Sequence, residues 1–493
     1  MLLKKSCCSE LSRCEACYWL YEWQLKTAEW SDSMKNLTVD HIANVCEGTL
    51  YGREFVKEAG KEASGVVLDS RLLQENYVFI ATKGEKVDGH KFIPSVFEKG
   101  AMAVICEEIP KNLTGPCIQV ENSFTALKKL AAFYRQQLDL KVIGITGSVG
   151  KTSTKEFVAG VLSAKYNVWK TQGNFNNEVG LPLTVLQLRD EHEIAVLEMG
   201  ISDFGEMHRL SEIARPDICI LTNIGQCHLE FLGDRDGVLK AKTEIFDFMN
   251  PEGMILVNGD DDKLITLKAK WKDKMVTFGR NPWNDVFSVN EISKGLLGSV
   301  ADVQGRVKIP ALEVSLPGEH MVLNALAASA TADMLGLSVE EIKTGMRKVQ
   351  SVSGRSNIIG FRDFILIDDC YNANPVSMKA AIDLLQSAHR RKVAVLGDMF
   401  ELGEEEEKLH FEVGEYTKGK VDLLICVGNL SEHIYKGAAK EKEENSKVLY
   451  LKEKEEIYAL LEKIIMPQDT ILLKASHGMG FTDIVSWFEK MYS

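Results

Sequence analysis

The segment Gly147-Ser148-Val149-Gly150-Lys151-Thr152 has the residue types and spacing to hold a phosphate. Glycines let the backbone turn tightly, so that successive N–H groups face an anion. Lys151 adds a full charge, and the Thr152 hydroxyl can ligate Mg²⁺. The apolar run 142–145 precedes the loop, and a helical pattern runs through Ser153 and beyond. The sequence therefore predicts a strand, a loop and a helix whose N-terminus carries partial positive charge. The spacing is not the common one. The usual loop has a glycine where this chain has Ile145, and Gly144 is one place out of register, which leaves the shorter GxxGKT form.

Two further polar residues fall where strands should end. Glu198 closes the predicted strand 194–197, and His228 follows the predicted strand 218–221 through Thr222-Asn223-Ile224-Gly225-Gln226-Cys227. In an open parallel sheet, ligands gather at the carboxyl ends of strands. Glu198 is thus placed to ligate Mg²⁺, with an ordinary surface glutamate as the plainer alternative. A lone histidine is more often a satisfied polar residue than a ligand, so its position makes His228 only a candidate.

These residues need a scaffold, and 493 residues suffice for about three domains. Residues 34–139 read as a small α/β domain with strands at 65–69, 77–81 and 101–106 and a helix at 92–99. Residues 140–350 read as a central parallel-sheet ATPase domain, with extra strands within 304–315 and a helix at 322–335. Residues 351–493 alternate most clearly, with strands at 364–367, 392–396, 423–427, 448–451 and 470–473. They read as a doubly wound, Rossmann-like domain. The acidic run 404–407 suits the solvated first turn of a helix.

A net charge of −13 argues against a general nucleic-acid or anionic-membrane surface. No apolar run reaches the ~18–20 residues of a membrane span, and no signal-type apolar region opens the chain, so a cytoplasmic location is expected. Cys106, Cys219 and Cys426 lie in apolar runs, as buried thiols do. Residues 1–33 differ in composition: they hold Cys7, Cys8, Cys14 and Cys17, four of the eleven cysteines. The CxxC at Cys14 and Cys17 is half of a zinc pattern with no second pair nearby, and the segment is expected to lie outside the fold, with translation starting at Met34 as one explanation.

The GxxGKT loop, AVLEMG around Glu198 and TNIGQCHLEFLGDRDGVLKAKTEIF resemble the Mur ligase family of ATP-dependent amide ligases. The resemblance runs from about Met34 to the C-terminus. Asp368-Asp369-Cys370-Tyr371-Asn372-Ala373-Asn374-Pro375, with VAVLGDMFELG and TQGNFNNEVGLP, is similar to the branch that adds D-alanyl-D-alanine to UDP-N-acetylmuramoyl-tripeptide. The resemblance implies three domains around one ATP and two Mg²⁺ ions. Thr152 and Glu198 would hold one ion. His228 and a carbamylated Lys242 would hold the other, although Lys242 taken alone reads as an ordinary helix lysine. Asn324, Asp369, Asn372 and Asn374 match nucleotide-side positions. Arg355 matches an arginine that reaches the phosphates on closure. Ser70, Arg71, Lys83, Asp88 and His90 match the UDP-sugar site, and Asn176 and Asn177 match the muropeptide site. For each Asn and Asp the alternative is a turn or cap.

The implied reaction phosphorylates the tripeptide carboxylate and then lets the dipeptide amine displace phosphate, in an enzyme expected to be monomeric. Two departures stand out. Met321 follows His320 where an asparagine is common, and His477 stands where an arginine is common. A sister ligase adding a single amino acid and an NTPase with a regulatory role are the alternatives.

Overall fold

The computed structural model describes residues 33–84, 87–439 and 447–492. The cysteines at 7, 8, 14 and 17 lie outside the described residues. Met34 is fully buried, and its N–H donates to the carbonyl of Ala63 at 2.7 Å.

The central sheet has nine strands, in the order Ile309–Val314, Ser299–Gly305, Val286–Ser293, Met275–Gly279, Met254–Asn258, Ile218–Leu221, Lys141–Thr146, Ile194–Glu198 and Val168–Lys170. All neighbours are parallel except the two pairs among the first three strands. Strands covered on both faces read as unbroken apolar runs. Ile143, Ile145, Val196 and Ile220 face a core built with the helices Lys151–Leu162 and His320–Met334. Their neighbours Val142, Ala195, Leu197, Cys219 and Leu221 face the helices Glu206–Ala214 and Arg235–Thr243. The antiparallel extension begins at Val286, well before the expected 304, because half of that strand is exposed and mostly polar and gives no apolar run.

The first sheet has five strands, ordered Thr49–Tyr51, Cys117–Gln119, Ala103–Cys106, Tyr77–Ile80 and Gly65–Val67. It shares a continuous core with the central domain through Leu127, Leu130 and Tyr134 of the helix Ser123–Arg135. The Tyr134 hydroxyl donates to the carbonyl of Leu188 at 2.7 Å, and Arg189 reaches back to the carbonyl of Ser64 at 2.8 Å.

The third sheet has six strands, ordered Asn357–Gly360, Ile365–Asp368, Thr470–Lys474, Lys392–Gly397, Leu423–Val427 and Lys447–Leu451. Only the first pair is antiparallel, and that half-buried edge strand carried no sequence signal. This domain has its own core on each face of the sheet. Separate cores allow a domain to move as a unit, whereas the first two domains share one. Seven described cysteines, Cys106, Cys219 and Cys426 among them, are buried and free. No helix among the described residues is long and apolar enough to cross a membrane.

Candidate active site

Register places the chemistry. Ile145 pairs with Glu198 and Thr146 with Leu221, so three strands end level with one another. The phosphate loop, Glu198 and the segment leading to His228 therefore leave one edge of the sheet together.

The loop is braced from behind. The N–H of Ser148 donates to the carbonyl of Asn223 at 3.0 Å, and the N–H of Val149 to Asn223 Oδ1 at 2.9 Å. Thr222 Oγ1 donates to the carbonyl of Val149 at 2.6 Å. Gly147 has φ 149° and Gly150 φ 83°, in the region that favours glycine. A Cβ on residue 147 would lie 1.9 Å from Thr222 Oγ1. Gly147→Ala is therefore expected to displace the loop and lower ATP affinity at least tenfold, with little change in melting temperature; calorimetric titration measures it.

Lys151 folds back onto the carbonyl of Gly147, Nζ to O 2.8 Å. Burial, aided by the nearby Lys242 charge and opposed by Glu198, pushes its ammonium down to about 8. Thr152 is buried in the first helical turn.

Glu198 is 1% exposed, and its two oxygens differ. Oε1 accepts from Asn176 Nδ2 at 2.8 Å, whereas Oε2 has no hydrogen bond among the described residues and lies 4.0 Å from the Lys155 ammonium. A buried carboxylate oxygen without a donor is costly unless a cation completes it. Oxygen donors at the phosphate loop suit Mg²⁺, so the residues present fit that ion. Among the described residues no three His, Cys, Asp or Glu side chains gather as a ligand cluster. Protein donors here are single groups that would share the ion with phosphate oxygens.

His228 has φ 52°, and its Nδ1 lies 2.6 Å from Glu401 Oε2 of the third domain. This hydrogen bond holds the Glu401 carboxyl below its usual range. Lys242, in the last turn of Arg235–Thr243, is 1% exposed, and burial lowers its ammonium from the ordinary range. No hydrogen bond or ion pair to its amine is found among the described residues. Such a lysine holds a nucleophilic neutral amine more readily than a surface one.

The third domain closes the cleft. The Arg355 guanidinium carbon lies 3.7 Å from the centre of the Tyr371 ring, and its charge is felt at Lys151. Asp368 accepts from the N–H of Gly354 at 2.7 Å, and Asp369 from the N–H of Ser356 at 2.9 Å. Lys474 Nζ pairs with Asp369 Oδ2 at 2.5 Å. Asp369 is thus held as a brace, and Asn374 caps the helix Pro375–Gln386 by accepting from the N–H of Ser377. Both still border the cleft, as does Asn372. Asn324 Oδ1 accepts from Thr154 Oγ1 at 3.0 Å, while its Nδ2 meets Met321 Sδ at 3.4 Å.

One cleft of about 1380 Å³ collects residues from all three domains. Ser70 and Arg71 line it from the first domain and Asn176 and Asn177 from the central one. Ser148, Val149, Gly150, Lys151, Ser153, Glu198 and His228 line it as well, together with Arg355 and His477. Gly147, Thr152 and Lys242 do not line it. The first-domain set divides: Lys83, Asp88 and His90 do not border the cleft. Asp88 Oδ1 accepts from His90 Nδ1 at 2.8 Å, and His90 Nε2 accepts from the N–H of Glu107 at 3.0 Å. These two brace a loop, and Lys83 pairs outward with Glu108.

The Mur ligase middle domain matches residues 145–332, the Mur ligase glutamate ligase domain residues 354–477, and the Mur ligase family catalytic domain residues 62–135. The chain is 38% identical to the UDP-N-acetylmuramoyl-tripeptide–D-alanyl-D-alanine ligase of Bacillus subtilis, over 91% of this chain and 97% of that one. It belongs to the Mur ligase family. The same-named ligase of Escherichia coli is 33% identical over 92% of this chain and 98% of its own. Among solved structures, MurF from Acinetobacter baumannii is similar with a TM-score of 0.83 and 30% identity, covering 93% of this chain and 100% of that one. The Thermotoga maritima MurF ligase in complex with ADP follows at 0.73 and 30%, covering 86% and 97%. The three-domain α/β architecture is that of these structures.

Several residues of this Mur ligase that shape the site carried no signal of their own. Thr222 and Asn223 stood only in the run leading to His228, Lys155 was not singled out, and Tyr371 and Glu401 stood unassigned inside longer motifs. Phe278 and Asn258 also border the cleft, beside Met321, Leu323 and Asn324. Asn258 and Phe278 lie at the ends of two neighbouring strands, Met254–Asn258 and Met275–Gly279, and only the sheet brings these to the cleft.

Proposed function

We propose that this chain is an ATP-dependent, ADP-forming ligase that joins D-alanyl-D-alanine to UDP-N-acetylmuramoyl-tripeptide in peptidoglycan precursor synthesis. The observation that carries the reading is 38% identity over nearly the whole length of a relative of that name. The chemistry of the cleft agrees with it. A carboxylate and a triphosphate repel each other, and the loop N–H groups, Lys151 and Arg355 supply the positive field that lets them meet. The γ-phosphoryl group passes to the tripeptide carboxylate to give an acyl phosphate and ADP. The dipeptide amine then attacks the acyl carbon, forms the amide, releases inorganic phosphate and loses its proton.

Thr152 and Glu198 would hold one Mg²⁺, and His228 with Lys242 carrying a carbamate would hold a second. These ions would neutralise phosphate charge. The chain's own residues do the rest. Asn176 fixes the Glu198 carboxylate, which is why it serves the phosphate side as well as the muropeptide. Phe278, Met321 and Leu323 offer apolar surface for a nucleotide base, and Ser70 and Arg71 face the first-domain end of the cleft, where a UDP group would lie. Arg355 is held over Tyr371 and brings its charge to the phosphates from the third domain. Closure of that domain also keeps water from the acyl phosphate.

Phosphate release from ATP, measured with UDP-muramoyl tripeptide and a panel of amines, tests the assignment. D-alanyl-D-alanine is expected to stimulate release at least tenfold over any single amino acid. Stimulation by a single amino acid but not by the dipeptide would assign a sister ligase, and release without any acyl acceptor would assign an NTPase.

A further inference from the structure

His228 and Glu401 are separated by 173 residues and belong to different domains, yet they form a 2.6 Å hydrogen bond at the mouth of the cleft. The carboxylate oxygen can only accept, so His228 Nδ1 carries the hydrogen and the ring's other nitrogen, Nε2, is turned away from Glu401. Glu401 has no other hydrogen bond or ion pair among the described residues. Both residues are left-handed, with φ 52° at His228 and 62° at Glu401. L-residues other than Asn and Asp hold that conformation mainly where the surroundings impose it.

The surroundings do impose it. The N–H of Met399 donates to His410 Nε2 at 2.8 Å, and the N–H of Phe400 to Ser476 Oγ at 3.0 Å. Asp398 beneath them accepts from both the N–H and the hydroxyl of Ser431 at 2.7 Å. The loop that carries Glu401 is therefore tied to the third domain from three sides. Opposite it, the His228 carbonyl accepts from the N–H groups of Phe231 and Leu232 and starts the short helix Leu229–Leu232. Gly403 lies against the Glu230 backbone in the same contact.

We propose that Glu401 is a positioning residue: it fixes the tautomer and ring orientation of His228, and it does so only when the third domain is seated on the central one. Closure thereby completes the phosphate-side machinery from a residue on the moving domain. A carboxylate behind a functional imidazole is the usual way to aim its other nitrogen, and losing such a partner costs about 10- to 100-fold in activity or metal affinity. The inference rests on the proposed ligase reading for the role of His228, but its structural half, the coupling of His228 to closure, does not.

The test uses the full-length chain with Glu401→Ala, Glu401→Gln, His228→Ala and the Glu401→Ala/His228→Ala double variant. Two readouts are kinetics with ATP, tripeptide and dipeptide, and hydrogen–deuterium exchange of residues 225–233 and 398–403 with ADP and Mg²⁺ bound. Glu401→Ala is expected to lower kcat 10- to 100-fold with KM for ATP within twofold, and to raise exchange at 225–233. Glu401→Gln keeps an acceptor oxygen and is expected to recover most of both. In the His228→Ala background, Glu401→Ala is expected to add less than twofold. Wild-type kcat and exchange in Glu401→Ala, or an undiminished effect in the double variant, would overturn the proposal. Wild-type protein that fails to respond to D-alanyl-D-alanine overturns the ligase reading instead, and the exchange result then still decides the coupling.

Discussion

Lys242→Met is expected to lose about 10²–10³-fold in kcat, the scale of one preorganised electrostatic group, while melting no lower than the natural chain. The two halves have one cause. Lys242 buries an amine with no carboxylate paired to it among the described residues, and burial lowers its proton affinity in the folded state. The unfolded lysine binds its proton more tightly, so folding is penalised at neutral pH and the penalty fades as pH rises through the folded value toward the ordinary ~10.4. Methionine has similar volume and no charge to desolvate, so it removes the penalty along with the function. A residue kept at a stability cost is kept for chemistry. If that chemistry is a carbamate, wild-type enzyme in CO₂-depleted buffer loses activity and bicarbonate restores it, while Lys242→Met responds to neither. Thermal melts across pH 7–10 and bicarbonate-dependent kinetics check both halves. A variant that keeps wild-type kcat would remove Lys242 from the mechanism.

Lys151→Met is expected to cost a comparable 10²–10³-fold in kcat, with weakened ATP binding as well. Lys151 also gives the natural enzyme a pH signature. Its folded value of about 8 means that the ammonium is full below that pH and lost above it. A bound triphosphate favours the ammonium and raises the value, so ATP binding takes up a proton around and just above pH 8. Calorimetric titration at pH 8.5 in two buffers of different ionisation enthalpy reads that uptake directly. It is expected in the natural chain and absent in Lys151→Met. Equal uptake in both would place the titrating group elsewhere.

The sequence made the phosphate loop legible because its parts are local. Strand, glycines, lysine and helix lie within a score of residues, and backbone preference alone assembles them. Glu198 and His228 were legible for a related reason: buried parallel strands are unbroken apolar runs, so their carboxyl ends can be found, and that edge is where ligands gather. The half-exposed strands Val286–Ser293 and Asn357–Gly360 escaped because they carry no such run.

Side-chain roles behaved differently. Asp88 and His90 have the types of a binding pair, but they satisfy each other without lining the cleft that their neighbours Val87 and Gly89 border. Asn374 and Asp369, read as nucleotide contacts, do cap and brace work while bordering the cleft. An Asn or Asp fills a cap or a site with the same atoms, and only its neighbours decide which.

By itself, then, the sequence determined a three-domain α/β chain with a short phosphate loop and an edge carrying Glu198 and His228, because these follow from local preference and strand burial; the ligase reading came from resemblance to a family. Tertiary structure decided what no spacing encodes. It left Glu198 Oε2 without a donor and Lys242 buried and unpaired among the described residues, carried Arg355 and Tyr371 to the phosphate side, and set Glu401 against His228. The first two depend on how helices and loops fold over the central sheet and the last two on how the separately cored third domain packs, and neither leaves a period in the chain.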